Sequence, residues 1–339
     1  MLVIRPIRSS DYDALYQIAV ESGHGFTSLP VNETLLRSKI ARAEASFAKS
    51  VEKPLDEGYL MVMEDTLIGE VVGTCGIEAA VGMVDAFYHY RLGTEVYYSE
   101  QIGVRNEVET LTLCHDYTGS AELCSLFLRE PFRKNNNGRI LSRSRFLFLA
   151  QHSERFGQTV IAEMRGRCDS EGNSPFYGWL QQHFLGIDFT QADYLSGLGQ
   201  KAFMAEMMPK NAVYVCLLPQ AAQKVIGEVH TNTRPALSLL QAEGFRCRGY
   251  VDIFDGGPTV ECNLEDIRGV RESRLLTVKI GDMQPSKSCF IISNTHIADY
   301  RATSAYLAIE EGQTEVYLSA EYADALKVAQ GDQIRVLAM

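Results

Sequence analysis

Basic residues gather in one short segment of the chain, between positions 129 and 145. It holds a single acid, Glu130, and six cations: Arg129, Arg133, Lys134, Arg139, Arg143 and Arg145. The segment follows an apolar run and leads into a helical pattern, and the start of a helix exposes unpaired N–H groups at the positive end of its dipole. Such a terminus suits a pyrophosphate, to which arginine or lysine adds charge-assisted hydrogen bonds. The segment therefore predicts a pyrophosphate site; the alternative is a solvated helix face that is merely basic.

The charge of the whole chain makes this segment an exception. Among 339 residues, 32 are Lys or Arg and 43 are Asp or Glu, for a formal net charge of −11. A non-specific nucleic-acid binder needs a broad basic face, so we expect no nucleic-acid partner. Hydrophobic residues make up 46% of the chain, enough for a substantial core, and the length favours more than one domain.

Cysteine and histidine are dispersed along the chain. The eight cysteines include no Cys-x-x-Cys pair and the seven histidines no His-x-x-x-His pair, so the sequence predicts neither a disulfide framework nor a metal site. The N-terminus has no apolar core of signal-peptide length, and the longest apolar runs are too short to cross a bilayer. We expect a reduced, cytoplasmic protein without bound metal and without a membrane partner.

The patterns around the basic segment predict a β-loop-α-β unit. Residues 122–128 form an apolar run typical of a buried strand, and 133–138 are polar. Residues 140–155 have the apolar spacing of a helix, and 159–164 are again typical of a strand. This unit places the basic residues in the loop between a strand and a helix.

The rest of the chain continues an α/β rhythm. Upstream, the patterns predict a strand over 2–7, helices after Ser9 and after Asn32, strands over 59–63 and 71–80, and only strand plus loop over 81–110. Downstream, they predict helices over 175–184, 220–230 and 233–243, with Gly244 ending the last, and a strand over 245–254. Beyond 262 the segments are short and β-type: 275–280, 289–293, 306–309, 316–318 and 333–337. We predict an α/β (α+β) fold with a small C-terminal β-rich subdomain.

The loop after the strand 122–128 resembles a known motif. Arg133-x-x-Asn136-x-Gly138 is similar to the motif of the GCN5-related N-acetyltransferase superfamily whose loop amides bind the pyrophosphate of coenzyme A. Asn136 stands where the superfamily has a glycine, and asparagine tolerates a positive φ better than most residues. The resemblance implies that Arg133, Asn136, Gly138 and Arg139 hold the pyrophosphate.

A second fragment resembles the late helix-to-strand signature of the same superfamily. It runs from Asn232 to Phe245 and ends in Glu-Gly-Phe. Leu240 occupies the position at which many members carry a tyrosine that protonates the departing thiolate, so another group must serve here. The distance between the two signatures implies tandem acyltransferase-like domains, which we expect at 1–165 and 166–262, followed by the β-rich subdomain at 263–339.

The resemblance extends over nearly the whole chain to one family, the bacterial arginine N-succinyltransferases. The strings that carry it are Ser28-Leu-Pro30, Thr118-Gly-Ser120, Glu122-Leu-Cys124, Ala162-Glu-Met-Arg-Gly166, Ser174-Pro-Phe176, Gly199-Gln-Lys-Ala-Phe203, Met208-Pro-Lys210, Gly227-x-Val-His230 and Asp252-Ile-Phe-Asp-Gly-Gly-Pro258. The family resemblance implies transfer of succinyl from succinyl-CoA to the α-amine of L-arginine, the first step of arginine catabolism by this route. It implies no permanently bound cofactor.

The family resemblance also assigns two residues of the reaction. It implies that His230 is the catalytic proton donor and that Leu126 contacts succinyl-CoA through its backbone. We expect His230 at the C-terminal end of the helix 220–230, where its cation is favoured. By itself a lone histidine at a helix end is typical of a capping residue. We expect Cys124 to be a core residue, because direct attack by the amine needs no acyl-enzyme.

Recognition of L-arginine needs carboxylates for the guanidinium and cations for the carboxylates. Glu163, Arg165 and Glu206, expected on strands that face a cleft, and Asp255 are the candidates. Each of them fits a structural ion pair equally well.

Other functions and assemblies stay open on the sequence. Ornithine is an alternative acceptor, and a non-catalytic acyl-CoA sensor is an alternative of another class, favoured by Leu240 and Asn136 but opposed by His230. The resemblance implies a homo-oligomer or an assembly with a related subunit.

Overall fold

The computed structural model describes residues 1–23, 28–169, 172–197 and 202–339. The positions 199–201 of one family string lie outside these ranges. The first elements are β1 (Leu2–Pro6), α1 (Tyr12–Ser22), α2 (Glu33–Ala48), β2 (Gly58–Asp65), β3 (Glu70–Glu78), β4 (His89–Ser99), β5 (Val104–Cys114) and β6 (Ala121–Leu128). The predicted cap of α2 is confirmed, because Oδ1 of Asn32 accepts the N–H of Leu35 at 3.0 Å.

The middle of the chain contributes both helices and strands. Its elements are α3 (Asn137–Gln151), β7 (Thr159–Glu163), α4 (Pro175–Leu180), α5 (Phe189–Gly197), α6 (Ala202–Met207), β8 (Val213–Tyr214), α7 (Gln220–Gln223), α8 (Arg234–Ala242), β9 (Arg246–Val251) and β10 (Pro258–Asn263). The C-terminal elements are α9 (Arg268–Glu272), β11 (Arg274–Ile280), β12 (Cys289–Asn294), β13 (Ala302–Tyr306), β14 (Glu315–Leu318), α10 (Ala320–Leu326) and β15 (Gln333–Ala338).

Three predicted elements differ from the structure. The stretch read as strand plus loop forms the hairpin of β4 and β5, paired without interruption from His89–Cys114 to Ser99–Val104. The predicted helix over 220–230 is wrong beyond its first turn, since α7 ends at Gln223 and Gly227 has a φ of 73°. The strand expected over 306–309 lies earlier, in β13.

Within the described residues, one mixed sheet collects the strands in the order β14-β11-β15-β12-β13-β1-β2-β3-β6-β7-β10-β9-β4-β5-β8. The C-terminal strands join it through β13, which pairs with β1 at Ala302 and Ile4. Thr303 strengthens this joint, because its Oγ1 donates to the Leu2 carbonyl at 2.7 Å. The β-rich part therefore continues the main sheet.

Both superfamily signatures lie in the centre of this sheet. β6, β7, β10 and β9 are consecutive strands, and α3 and α8 precede β7 and β9 in the chain. The structure needs no duplication to bring the two signatures together. The domain boundaries at 165 and 262 stay predictions.

Helices cover both faces of the central strands. On β2, Leu60 and Val62 pack in a cluster with α1 and α2, whereas Met61 and Met63 pack in the cluster that includes α3. This alternation is the period of two expected for a strand buried on both faces.

A buried carboxylate holds α3 against the late signature. Glu243 is 1% exposed, and its carboxylate lies 2.8 Å from Arg143 Nε and 2.7 Å from Arg268 Nη2. It also accepts the N–H of Gly269 at 2.8 Å. Because two cations and an amide surround one carboxylate, its burial is electrostatically compensated.

Candidate active site

The parallel strands β6 and β7 separate to form an open V. They pair only at Ala121–Val160 and Glu122–Ile161. Beyond this point β6 keeps its pairing with β3 but shifts register next to Ser125, whose φ is 52°. The half-buried Leu126 therefore has its backbone on the side of β7 without a strand partner among the described residues. An extended chain with amide groups can pair there as an added strand.

The predicted pyrophosphate loop lies at the tip of the β6 arm. Asn136 has a φ of 60° and is the N-cap of α3, so asparagine fills the left-handed position that the superfamily gives to glycine. Arg133 Nε donates to the Leu128 carbonyl at 2.7 Å and ties the loop to the strand. A Cβ at Gly138 would meet nothing closer than Leu128 Cδ2 at 3.9 Å, which leaves room for a ligand over the helix N-terminus.

The six cations of the basic segment do not act together. Arg133, Lys134 and Arg139 are exposed around the loop. The other three have internal partners: Arg129 with Glu21 at 2.7 Å, Arg143 with Glu243 at 2.8 Å, and Arg145 with the Ser142 hydroxyl at 2.9 Å. Half of the cations thus surround the loop and half stabilise the fold, so the segment is not a solvated face as a whole, and the pyrophosphate site stays a prediction.

Cys124 lies on the β6 arm next to Ser125. Burial, and next the charges of Glu78 and Glu122, raise the pKa of its thiol to about 12. A thiol that stays protonated is a poor nucleophile. This agrees with direct attack by the amine, but the side chain is half-buried and, contrary to the expectation, is not part of the core.

His230 lies at the tip of the β7 arm. Its N–H donates to the Arg165 carbonyl at 2.8 Å, and the adjacent Gly166 and Val229 form an antiparallel bridge. The expected helix C-terminus is wrong: His230 is the N-cap of the 3-10 turn Thr231–Thr233, so no helix end favours its cation. Burial, and next the charge of Arg165, lower the pKa of the imidazole.

The hydrogen bond of the ring fixes its tautomer. Nδ1 of His230 accepts the N–H of Asn232 at 3.2 Å. An accepting Nδ1 places the proton of the neutral ring on Nε2. At neutral pH the half-buried side chain is therefore a neutral imidazole with an Nε2–H donor.

Asp255 holds the segment that carries His230. Its Oδ2 accepts the N–H of Gly166 at 2.6 Å and its Oδ1 that of Gly257 at 2.8 Å. Burial, and next the charge of Asp252, raise the pKa of this carboxyl group well above its usual range. In the same turn, Gly227 donates to the Gly256 carbonyl at 2.8 Å. The geometry therefore points to a positioning role for Asp255 rather than to contact with a guanidinium.

The remaining predicted residues separate into two groups. Glu163 is the last residue of β7, and Arg165 follows two residues later, beyond the strand. Glu206 was expected on a strand, but it lies exposed on α6. Leu240, at the position of the superfamily tyrosine, is buried in the core with α3. The roles assigned to all these residues stay predictions.

His89 and Thr259 belong to the same region, and the sequence patterns do not indicate them. His89 is fully buried, its Nε2 lies 2.9 Å from Oε1 of Glu163 without the angle of a hydrogen bond, and burial lowers its pKa to about 4. Thr259 stands opposite Glu163 in the β10–β7 register. His89 falls in the stretch that shows no clear period, so its position depends on the β4–β5 hairpin.

Two general features of the described residues bear on ligands. No cluster of three His, Cys, Asp or Glu side chains in these ranges has the spacing to hold a metal ion. Each helix described is too short or too polar to span a bilayer.

Comparison with known proteins gives a consistent result. A sequence model of the family described as arginine N-succinyltransferase beta subunit matches residues 2–269, and one for the C-terminal domain of that subunit matches 274–338. An arginine N-succinyltransferase of Escherichia coli is 46% identical over 341 residues, covering 99% of this chain and 97% of the relative. One of Citrobacter koseri is 45% identical over 339 residues, with the same coverage.

A solved structure agrees with these matches. Subunit AI of the arginine/ornithine succinyltransferase of Pseudomonas aeruginosa superposes with a TM-score of 0.91 at 37% identity. The superposition covers 100% of this chain and 98% of that one. The mixed α/β fold is therefore shared along the entire length.

Proposed function

Because this chain belongs to the arginine N-succinyltransferase family and is therefore an acyltransferase, we propose that it transfers succinyl from succinyl-CoA to the α-amine of L-arginine. The membership confirms the family resemblance seen in the sequence. The observation that carries the proposal is the V between β6 and β7, with a phosphate loop at the tip of one arm and His230 at the tip of the other. An acyl-CoA that enters the V brings its thioester between the two arms.

The donor binds along the β6 arm in this proposal. The pantetheine amides pair with the backbone at Leu126, and the pyrophosphate lies on the start of α3 among Arg133, Asn136, Gly138 and Arg139. The positive end of α3 and the exposed guanidinium groups stabilise the phosphate charge. No permanently bound cofactor is required, because succinyl-CoA is consumed in each turnover.

The chemistry is direct attack by the amine. The α-ammonium of arginine loses one proton, and its nitrogen attacks the thioester carbon, so that a C–N bond forms. The tetrahedral intermediate then collapses with cleavage of the C–S bond, and the second nitrogen proton leaves. In the same step the Nε2–H of His230 passes to the departing sulfur while the ring takes the second nitrogen proton, so that the imidazole is neutral before and after the transfer. The products are N2-succinyl-L-arginine, CoA and one proton.

Several finer features belong to the same proposal. We place the enzyme in the cytoplasm, at the first step of arginine catabolism, as a homo-oligomer or an assembly with a related subunit. The domain division at 165 and 262 is also proposed. Support for an assembly comes from the Pseudomonas aeruginosa relative, which is described as one subunit of its enzyme.

Ornithine is the second candidate acceptor. The Pseudomonas aeruginosa relative is described as an arginine/ornithine succinyltransferase, and its fold matches over the full chain. A non-catalytic sensor is the weaker alternative: Leu240, which favours it, is a core residue, but His230 at the tip of the β7 arm opposes it.

The test is thiol release from succinyl-CoA in the presence of L-arginine, ornithine or lysine, with acetyl-CoA as the control donor. We expect release that depends on both arginine and succinyl-CoA. Faster release with ornithine changes the acceptor and keeps the mechanism. Tight binding of succinyl-CoA without release for any amine contradicts the proposal.

A further inference from the structure

The hairpin of β4 and β5 is longer than the strands that flank it. Its two strands are paired without interruption up to the turn at 99–104. Among the described residues, β9 pairs with β4 only at positions 90–91, and β8 pairs with β5 only at positions 110–111. The outer hairpin, residues 94–107, therefore has no strand along either edge in that part of the chain.

Both faces of the outer hairpin are exposed. Strand side chains alternate between two faces, yet nearly every residue from 94 to 107 is exposed. The exposed side chains include large apolar ones, with Val96 at 52%, Tyr98 at 67% and Ile102 at 70%. A two-stranded hairpin without further packing is marginally stable in water, and apolar side chains grouped on a surface mark an interaction site. We therefore expect the outer hairpin to have a partner.

The free edge of β5 has the pattern of a strand that can pair with a copy of itself. Alternation puts Arg105 and Glu107 on one face, and the other face carries Val104, Asn106 and Val108. When two copies of β5 pair antiparallel around Asn106, Arg105 of each copy lies opposite Glu107 of the other. In the same register Val104 lies opposite Val108. Opposite charges and β-branched side chains are both stabilising cross-strand pairs.

The charges on this edge favour the pairing. Within one chain, Nη2 of Arg105 lies 2.7 Å from Oε1 of Glu107, and their side chains are 63% and 55% exposed. An exposed ion pair of this kind contributes little by itself. In the paired copies, two arginines and two glutamates alternate, so each charge has an opposite charge beside it and another across from it. The contact is isologous and covers the edge of both strands.

The outer edge of β4 has no equivalent register. Glu95 is the one charged residue between positions 94 and 99. A copy of β4 paired around Tyr97 would place this carboxylate opposite Ser99. The charge pattern therefore favours the β5 edge over the β4 edge.

We propose that two copies of this chain associate through the outer edges of β5, paired antiparallel around Asn106, to form one four-stranded ribbon. The inference rests on the assembly included in the proposed function and commits to a second copy as the partner. It does not use the reaction, so the interface and the reaction are tested separately.

Charge reversal tests the interface. Arg105→Glu and Glu107→Arg are compared with wild type and with Arg37→Glu, which reverses an arginine of similar exposure in an ion pair on α2. Analytical ultracentrifugation over a concentration series gives the mass of each protein, and circular dichroism verifies its fold. We expect wild type and Arg37→Glu at twice the mass of one chain. Each hairpin variant should raise the dimer Kd by at least about 10-fold, because like charges then face each other at two symmetric positions.

A mixture of the two hairpin variants tests the register. In a mixed pair, one copy has glutamate at both positions and the other has arginine at both, so each facing pair is again opposite in charge. An equimolar mixture should therefore regain the mass of wild type, although each variant alone has lost it. General damage to the hairpin does not produce this recovery.

Crosslinking provides a second test that requires no loss of assembly. Because Asn106 of one copy lies beside its equivalent, a short bismaleimide should join two chains of Asn106→Cys. Wild type treated in the same way is the control for the native thiols.

Three outcomes overturn the proposal. A monomeric wild type excludes a second copy as the partner. Hairpin variants that keep the mass of wild type, or a mixture that stays dissociated, exclude the β5 register, as does Asn106→Cys that crosslinks no more than wild type. A dimeric wild type that obeys the crossed pattern but releases no thiol with arginine supports the interface and contradicts the proposed reaction instead.

Discussion

The two arms of the V are built in different ways. The β6 arm takes its strand, bulge, loop and helix start from one continuous stretch, residues 121–139. The β7 arm brings together Glu163 and Arg165, His230, the turn at Asp255 and the hairpin residue His89, which are up to 166 positions apart in the chain. A contiguous site depends on local backbone geometry, whereas an assembled one depends on tertiary packing. Substitutions on the two arms should therefore impair the protein in different ways.

The largest effect is expected on the β7 arm at His230. His230→Ala removes the Nε2–H donor and should lower kcat by at least about 100-fold, the usual size of an acid–base contribution. The affinity for succinyl-CoA, measured by titration calorimetry, should stay within about 2-fold because the proposed donor site lies on the other arm. His183→Ala, at an exposed position, is the control. Turnover like that of wild type would exclude His230 from the mechanism.

The next effect concerns the packing that holds the β7 arm. A Cβ at Gly257 would overlap the Met164 carbonyl oxygen and lie 2.5 Å from the Gly166 nitrogen. Gly257→Ala should therefore destabilise the fold by about 2–3 kcal/mol and reduce kcat more than the KM for succinyl-CoA. Denaturant unfolding and steady-state rates measure both.

Gly178 provides the matched control for this change. A Cβ at this helical position meets nothing within 4 Å, so Gly178→Ala should stabilise the protein by up to about 1 kcal/mol. If both variants unfold at the same denaturant concentration, the close approach at Gly257 does not hold the arm.

A smaller effect is expected on the β6 arm at Asn136. Its φ of 60° costs an alanine about 1 kcal/mol, so Asn136→Ala should weaken CoA binding by about 5-fold. Asn136→Gly should retain it, since glycine adopts this conformation without strain. Calorimetric titration with CoA distinguishes the two. Equal affinities would mean that the backbone conformation of the loop does not limit binding.

The smallest effect is a shift in pH dependence. Burial and the charge of Arg165 both lower the pKa of His230 below its ordinary value of 6.5. Because activity is lost when the neutral imidazole is protonated, the acid limb of the kcat/KM profile should lie below pH 6.5. Arg165→Gln removes one of the two causes and should raise that pKa by less than about one unit. The pH profile of kcat/KM measures it. If the acid limb of the variant has the same pKa as that of wild type, a group other than His230 determines the profile.

The two arms also differ in how much the sequence could indicate. The buried strand, the loop and the left-handed conformation of Asn136 follow from residue types within 20 positions, and the structure has all three. The division of the basic segment does not follow from residue types. Arg143 and Arg145 look like Arg133 and Arg139 in the sequence, and only the packing of α3 against Glu243 and the sheet makes them structural.

On the β7 arm, the sequence indicated residues without their arrangement. Glu163, Arg165, His230 and Asp255 lie on this arm, but the helix expected to carry His230 ends at Gln223, and Glu206 lies on a helix instead of a strand. No sequence pattern indicated that His89 belongs to this region, since a buried histidine on a strand cannot be distinguished from a core residue by its spacing.

The sequence by itself determined the reaction class through its family resemblance, and its motifs indicated the donor loop and the proton donor that are proposed here. Local chemistry suffices for these, because a turn conformation and a helix start are set by neighbouring residues. Only the tertiary structure decided which cations of the basic segment are exposed, and that the carboxylate of Asp255 is buried and accepts two backbone N–H groups. Burial and partners determine these properties, and they depend on strands that meet in the sheet from distant parts of the chain.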